Sequence, residues 1–261
     1  MNIPWPDLIL VSIVGALVGS FLNVCIYRLP RGLSVVWPSS QCPACRAPIA
    51  PYDNVPVLSY VLLRGRCRRC RGGISLRYPV IELINAVGYV VIVWQFGVTP
   101  QSVVYAVLFS TFMVVAGIDL SHQIIPDVIT LPGILLGLVA AATVLPTGFL
   151  NGLMGLLVGG GILWGLAWLS PYVFGKEGMG GGDIKLMAMI GAFLGWKTTL
   201  LTIMLGAVLG SVVGLALIAA KIIRRDDYVP FGPFLVFGAV LSLFFQHEIV
   251  TWYVGLLAAS R

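Results

Sequence analysis

Long apolar runs alternate with short polar joints along most of the chain. Such runs cover residues 8–27, 80–96, 102–118, 128–145, 150–173, 184–196, 198–223 and 231–257. A helix needs about 20 predominantly apolar residues to cross a bilayer. The segment 184–196 falls short, so it is expected to tilt, to deepen through its flanks or to re-enter. A single long polar interval, residues 28–77, separates the first run from the second. The pattern predicts an all-α polytopic membrane protein with about eight transmembrane helices and a small insert between the first two. It divides into a first transmembrane helix (1–28), the insert (29–78) and a transmembrane core (79–261).

Composition strengthens that reading. Hydrophobic residues make up 59% of the 261 and charged residues 10%, with a mean hydropathy of +0.99, beyond what a soluble domain keeps in water. A net charge of +6 would point to nucleic acid in a soluble protein. Its distribution gives another explanation. Nine arginines lie within 28–77, and Lys176, Lys185, Lys221, Arg224 and Arg225 fall in or beside two later joints. With those joints and the insert cytoplasmic, only Lys197 and Arg261 remain outside, a strong positive-inside asymmetry. Alternating the runs places the same joints on one side. The N-terminus is then expected outside, the bilayer is the standing partner, and no nucleic acid is implied. The first run has no basic residue before it, so it is expected to be an anchor rather than a cleaved signal. Glycines at four-residue spacing, Gly155 and Gly159, then Gly206, Gly210 and Gly214, predict helix-packing faces.

The insert carries CPAC at 42–45 and CRRC at 67–70. Two such pairs present four thiolates tetrahedrally, which suits a structural zinc on Cys42, Cys45, Cys67 and Cys70. Iron would use the same ligands, and disulfides are the other rival, disfavoured in a reducing compartment. An insert this small has little core, and a bound metal contributing on the order of 10 kcal/mol would explain how it folds. Cys25, inside the first run, is expected to be a small buried hydrophobe. Arg64, Arg66, Arg68, Arg69 and Arg71 crowd the second pair; they predict a solvated face, with the holding of an acidic ligand as the sharper reading.

Ten acids are few enough for their placement to inform. Asp127 follows a proline just before the fourth run and is expected to cap that helix. Asp119 ends the third run, against the negative end of a helix dipole, where an acid is disfavoured. Asp183 follows Gly178 and Gly180–Gly182 in GMGGGDIK and meets an apolar run at once. It could cap that run, but the glycines also let another chain approach closely, take conformations other residues resist, and leave an extended edge for a peptide. The predicted topology puts Asp119 and Asp183 at one membrane face. Two carboxylates there suit peptide hydrolysis by an aspartic dyad, one ionised and one protonated. His122 and His247 are the only histidines, too few for a histidine-rich metal centre.

These residues carry a resemblance. FLNVCIYRLP (21–30), both cysteine pairs, DNVPVLSY (53–60), LRGRC (63–67), RYPVIE (77–82) and IDLSHQIIPD (118–127) are similar to the bacterial type IV prepilin peptidases; GGGD (180–183) resembles the wider GxGD membrane aspartyl proteases. The likeness runs across nearly the whole chain. It implies Asp119 and Asp183, 64 residues apart, as the catalytic pair and the four cysteines as a cytoplasmic metal cluster. It further implies cleavage of basic leaders from type IV prepilins and type II secretion pseudopilins at the inner face of the bacterial cytoplasmic membrane. N-methylation of the new terminus with S-adenosylmethionine would follow. No Rossmann fingerprint locates that donor; Asn23, Arg28, Asp53, Tyr60 and Glu82, polar groups near the inner ends of the first two spans, are the candidates. A transporter or scaffold with a zinc-binding insert is the alternative that the spans and cysteines also allow.

Overall fold

The computed structural model describes residues 3–175, 179–224 and 229–259. Lys176, Gly178, Arg225 and Arg261, named above, lie outside the described residues. The described chain is helical. Its helices are α1 (Trp5–Arg28), α2 (Leu58–Leu62), α3 (Arg77–Phe96), α4 (Pro100–His122), α5 (Asp127–Thr143), α6 (Phe149–Phe174), α7 (Gly181–Ala219) and α8 (Gly232–Ala259). All but α2 and α5 hold a stretch long and apolar enough to cross a membrane, and α5 is a shorter apolar helix. The chain divides into two compact units, Met1–Ile118 and Asp119–Arg261, so the last turn of α4 begins the second.

In the first unit α1 starts at a proline, with Asp7 in its first turn and Arg28 in its last, both matched to the helix dipole. Gly15 and Gly19 bring it against α3: a Cβ at Gly15 would lie 2.8 Å from the Ala86 Cα, and one at Gly19 2.7 Å from the Glu82 Cα. A buried polar chain joins α1, α3 and α4. Asn85 Nδ2 donates to the Gly15 carbonyl at 2.8 Å, Ser110 Oγ donates to Asn85 Oδ1 at 3.0 Å, and Tyr89 Oη lies 3.0 Å from Ser110 Oγ. Away from water such groups must find each other.

In the second unit α6 packs closely on α7. A Cβ at Gly152 would sit 2.7 Å from the Ala192 carbonyl oxygen and one at Gly159 2.6 Å from that of Met187, while Gly155 abuts Gly191. The packing face expected at Gly155 and Gly159 is therefore present. Gly206 and Gly210 similarly meet Leu235 and Phe234 of α8, but a Cβ at Gly214 would meet nothing within 4 Å among the described residues.

The runs expected at 184–196 and 198–223 are one length of helix interrupted at a single residue. Gly195 adopts φ 78°, ψ 168°, a conformation that only glycine takes readily. A side chain there would also strike Thr147, whose hydroxyl donates to the Phe193 carbonyl at 3.1 Å; Thr199 Oγ1 donates to the Gly195 carbonyl at 2.8 Å. These hydroxyls serve carbonyls beside the interruption, as a broken helix in a membrane requires. The arm before the break, residues 181–194, rises about 21 Å at 1.5 Å per residue. That is less than a hydrocarbon core of about 30 Å. Leu135, Val139, Leu157, Trp164 and Val208 are all exposed, so the outer surface of this unit is apolar, as lipid demands.

Candidate active site and metal centre

Each cysteine pair opens a tight knuckle. In the first, the Cys42 amide donates to the Ala47 carbonyl at 2.9 Å and the Arg46 amide to the Cys42 carbonyl at 2.8 Å. The second repeats this, Cys67 to Gly72 at 2.9 Å and Arg71 to Cys67 at 3.0 Å. The residue after each pair, Arg46 and Arg71, turns left-handed with φ 56° and 59°. The four Sγ atoms lie within 4.8 Å of one another, with Cys42 and Cys70 3.8 Å apart. Four sulfurs tetrahedrally placed about 2.3 Å from one ion stand about 3.8 Å from each other, so the cluster can hold a metal ion; a disulfide would need about 2.05 Å. The amide of Cys45, followed by that of Ala44 and the thiols of Cys67 and Cys45, outweighs burial and holds the Cys42 thiol down at about 7. At Cys70 the Gly72 amide favours the thiolate, but bonds from Cys45, Cys67 and Cys42 together with burial push it up to about 11. Cys42 thus gives up its proton more readily than Cys70.

The insert is tied together by polar groups. Arg68 donates from Nε and Nη2 to both Asp53 oxygens at 2.7–3.0 Å, and its guanidinium keeps the Asp53 carboxyl below the usual carboxylate range. Among the crowded arginines, then, Arg68 holds an acid of its own chain, while Arg64, Arg66, Arg69 and Arg71 are exposed. Tyr60 Oη donates to the Ile74 carbonyl at 3.2 Å, and Arg28 donates to the Ser34 and Pro38 carbonyls at 2.9 and 2.7 Å. Glu82 of α3, 6% exposed, accepts the Val57 amide at 2.7 Å. Val57 needs that support: with φ 59°, ψ −50° and the Leu58 amide 2.5 Å from the Pro56 carbonyl, it forms a strained γ-turn. Asn23 of α1 donates to the Tyr78 carbonyl at 3.2 Å, and its own Oδ1 is buried without a partner among the described residues. Of the five methyl-donor candidates, Asn23 and Glu82 are the buried ones, and the orphan oxygen and the carboxylate suit a cationic ligand.

The second unit brings the two singled-out aspartates together. Asp119 lies in the last turn of α4, 3% exposed, and Asp183 in the first turn of α7, 4% exposed. The charge of Asp119 acts directly on Asp183. The first amide of α8, that of Gly232, donates to Asp119 Oδ2 at 3.1 Å. The Gly180 amide donates to the Asp183 carboxylate. Asp183 is thus not the cap of α7; Gly180 takes the N-cap position, with an extended φ of −78°.

The glycines before Asp183 differ from the expectation in one respect. None of Gly180, Gly181 and Gly182 takes a left-handed backbone; the last two are already wound into α7, and of the three only Gly180 is extended. Gly182 is required by contact, since a Cβ there would lie 2.9 Å from the Ile125 Cβ. Among the described residues, a Cβ at Gly181 would meet nothing within 4 Å, and one at Gly180 nothing nearer than 3.9 Å.

Asp127 does not cap α5. Pro126, extended at φ −68°, ψ 131°, occupies the N-cap position and moves Asp127 into the first turn, where its carboxylate suits the dipole. Both its oxygens accept from Lys185 Nζ at 2.7 Å, clasping the start of α5 to the start of α7. His122 is half-buried at the end of α4. Sequence reasoning passed over Gly232 and the Lys185–Asp127 pair. The only signal for Gly232 was its place in PFGPF, a glycine before a proline at a helix start.

Fold and site together define an integral membrane protein of several apolar helices, with a four-thiol cluster able to hold a metal ion and two buried carboxylates close to each other. Comparison with known proteins names the group. Residues 13–96 match the Bacterial Peptidase A24 N-terminal domain and residues 106–215 the Type IV leader peptidase family. The prepilin leader peptidase/N-methyltransferase of Pseudomonas putida is 37% identical over 270 aligned residues, covering 95% of this chain and 94% of its own. That of Pseudomonas aeruginosa is 36% identical, covering 93% and 91%, and that of Legionella pneumophila 32%, covering 98% and 97%. No solved structure matches. The chain belongs to the type IV leader peptidase family.

Proposed function

We propose that this protein removes the basic leader from type IV prepilins and type II secretion pseudopilins and then N-methylates the new terminal residue. The observation that carries the reading is the pair Asp119 and Asp183, two buried carboxylates that different helices bring close enough for the charge of Asp119 to act on Asp183. Two acids sharing a site do not both ionise easily, so one keeps a proton. The ionised member takes a proton from water, whose oxygen adds to the scissile carbonyl carbon while the protonated member donates to the carbonyl oxygen. Collapse breaks the C–N bond, and the amine leaves with a proton. The side-chain-free surface of Gly180 and Gly181 beside Asp183 admits the substrate backbone, and Gly182 seats α7 on Ile125.

The four cysteines hold a structural zinc that folds the insert. S-adenosylmethionine supplies an electrophilic methyl group. Asn23 and Glu82 receive its positive charge, while Arg28, Asp53 and Tyr60 shape the insert beside them. Alignment of a free amine with the donor supplies much of that step. The basic insert faces the cytoplasm, with the N-terminus outside, so the site meets leaders on the side where they are retained. In functional terms the chain divides as an anchor (1–28), a metal-binding insert (29–78) and a peptidase core (79–261).

The test is to incubate the purified protein with a prepilin and S-adenosylmethionine and read the product terminus by mass spectrometry. The expected product has lost its leader and gained a methyl group. Asp119→Ala and Asp183→Ala should each abolish cleavage while still inserting. Near-normal cleavage by either variant would remove the dyad.

A further inference from the structure

The position of Asp119 poses a problem that only the second unit answers. At the last turn of α4 the carboxylate sits at the negative end of the helix dipole, a position unfavourable to an anion. Its compensation arrives from 113 residues away, where the first amide of α8 reaches Asp119 Oδ2 at 3.1 Å in a buried setting. The approach is so close that it excludes a side chain. A Cβ on residue 232 would stand 2.6 Å from Asp119 Oδ2, 3.3 Å from its Cγ and 3.1 Å from Ile125 Cδ1. Ile125 in turn touches Gly182, next to Asp183. One glycine therefore faces one catalytic carboxylate directly and reaches the other through a single apolar side chain.

We propose that Gly232 is a positioning residue of the aspartic pair, its amide fixing the Asp119 carboxylate and its missing side chain allowing the amide to come within bonding distance. This deepens the peptidase reading and rests on it. Lodging even one methyl at residue 232 turns the carboxylate away from its working orientation, and misplacement by about 1 Å costs on the order of 100-fold in rate. Because the substrate is held elsewhere, the loss falls on kcat.

Three variants of the full-length protein in lipid nanodiscs test this, with a model prepilin as substrate. Gly232→Ala should lower kcat about 100-fold and leave KM within about twofold. Gly232→Ala combined with Ile125→Ala should stay as slow, because the clash with the carboxylate remains when the isoleucine is trimmed. Recovery of kcat in the double variant would make Gly232 a packing residue against Ile125 and overturn the proposal, as would an unchanged kcat in the single variant. A measurement without substitution at 232 covers the case in which Gly232→Ala does not fold. In isotope-labelled-glycine protein, the Gly232 amide proton should move upfield when Asp119→Ala removes its acceptor; an unmoved resonance refutes the bond. Retained cleavage by Asp119→Ala would overthrow the dyad itself, whereas an active Gly232→Ala beside an inactive Asp119→Ala would overthrow only this inference.

Discussion

A single methyl placed on α6, at Gly159, should impair a site whose two acids belong to α4 and α7. Its Cβ would lie 2.6 Å from the Met187 carbonyl oxygen and 2.8 Å from Thr199 Cγ2, whereas ordinary contact begins at 3.4 Å. Both neighbours belong to α7, and Met187 stands one turn beyond Asp183. The carbonyl is fixed in the helix ladder, so relief has to come from separating the helices by about 0.8 Å, the shortfall from ordinary contact. Overpacking of this kind costs about 1–3 kcal/mol. A displacement of several tenths of an ångström passed along one helical turn to Asp183 should lower the cleavage rate about 10- to 100-fold. The controls lie on the same helix: a Cβ at Gly161 or Gly165 would meet nothing within 4 Å. There alanine should add up to about 1 kcal/mol through helix propensity alone and leave cleavage unchanged. The assay is leader removal from a model prepilin by protein in nanodiscs, with thermal unfolding followed in parallel. Normal kcat and normal stability for Gly159→Ala would refute the close α6–α7 packing and its link to Asp183.

Two further outcomes concern the insert. Metal analysis should find about one zinc per chain, reduced strongly by Cys67→Ser, and retention should decline as acid is added. The sign follows from the thiols: the ion binds thiolates, Cys42 holds its proton only below about 7 and Cys70 up to about 11, so falling pH restores protons that compete with the metal. Retention that is flat from neutral pH to pH about 4 would contradict thiolate ligation. Arg46→Gly and Arg71→Gly should each stabilise the insert by about 1 kcal/mol, since both positions hold a left-handed backbone that glycine takes without strain. Thermal melting of the zinc-loaded protein checks this, and lower melting points would show that the arginine side chains do more than occupy the turn.

Some features were legible because they are written locally. A bilayer is read by runs of apolar residues, and the long runs at 8–27, 80–96 and 102–118 correspond to α1, α3 and α4. A metal is read by thiol spacing, since two residues between cysteines suffice to turn both sulfurs to one point, whatever the rest of the fold does. Asp119 and Asp183 stood out because a carboxylate beside apolar sequence is costly. Capping by Asp127 failed for a local reason too, because Pro126 already has the backbone of an N-cap and displaces the acid by one position.

Other features depended on partners distant in sequence. Composition marked out the glycines of GMGGGDIK, but Gly182 acquires its steric duty only from Ile125, and Gly195 breaks α7 where Thr147 and Thr199 can serve nearby carbonyls. The pairing of Lys185 with Asp127, 58 residues apart, has the same origin. By itself the sequence determined that the chain lives in a membrane, where its apolar runs lie, that four thiols gather, and which two acids merit a site. Tertiary structure decided how those acids are held. Helix dipoles and backbone amides act over a few ångströms, and only packing brings the amide of Gly232 to Asp119.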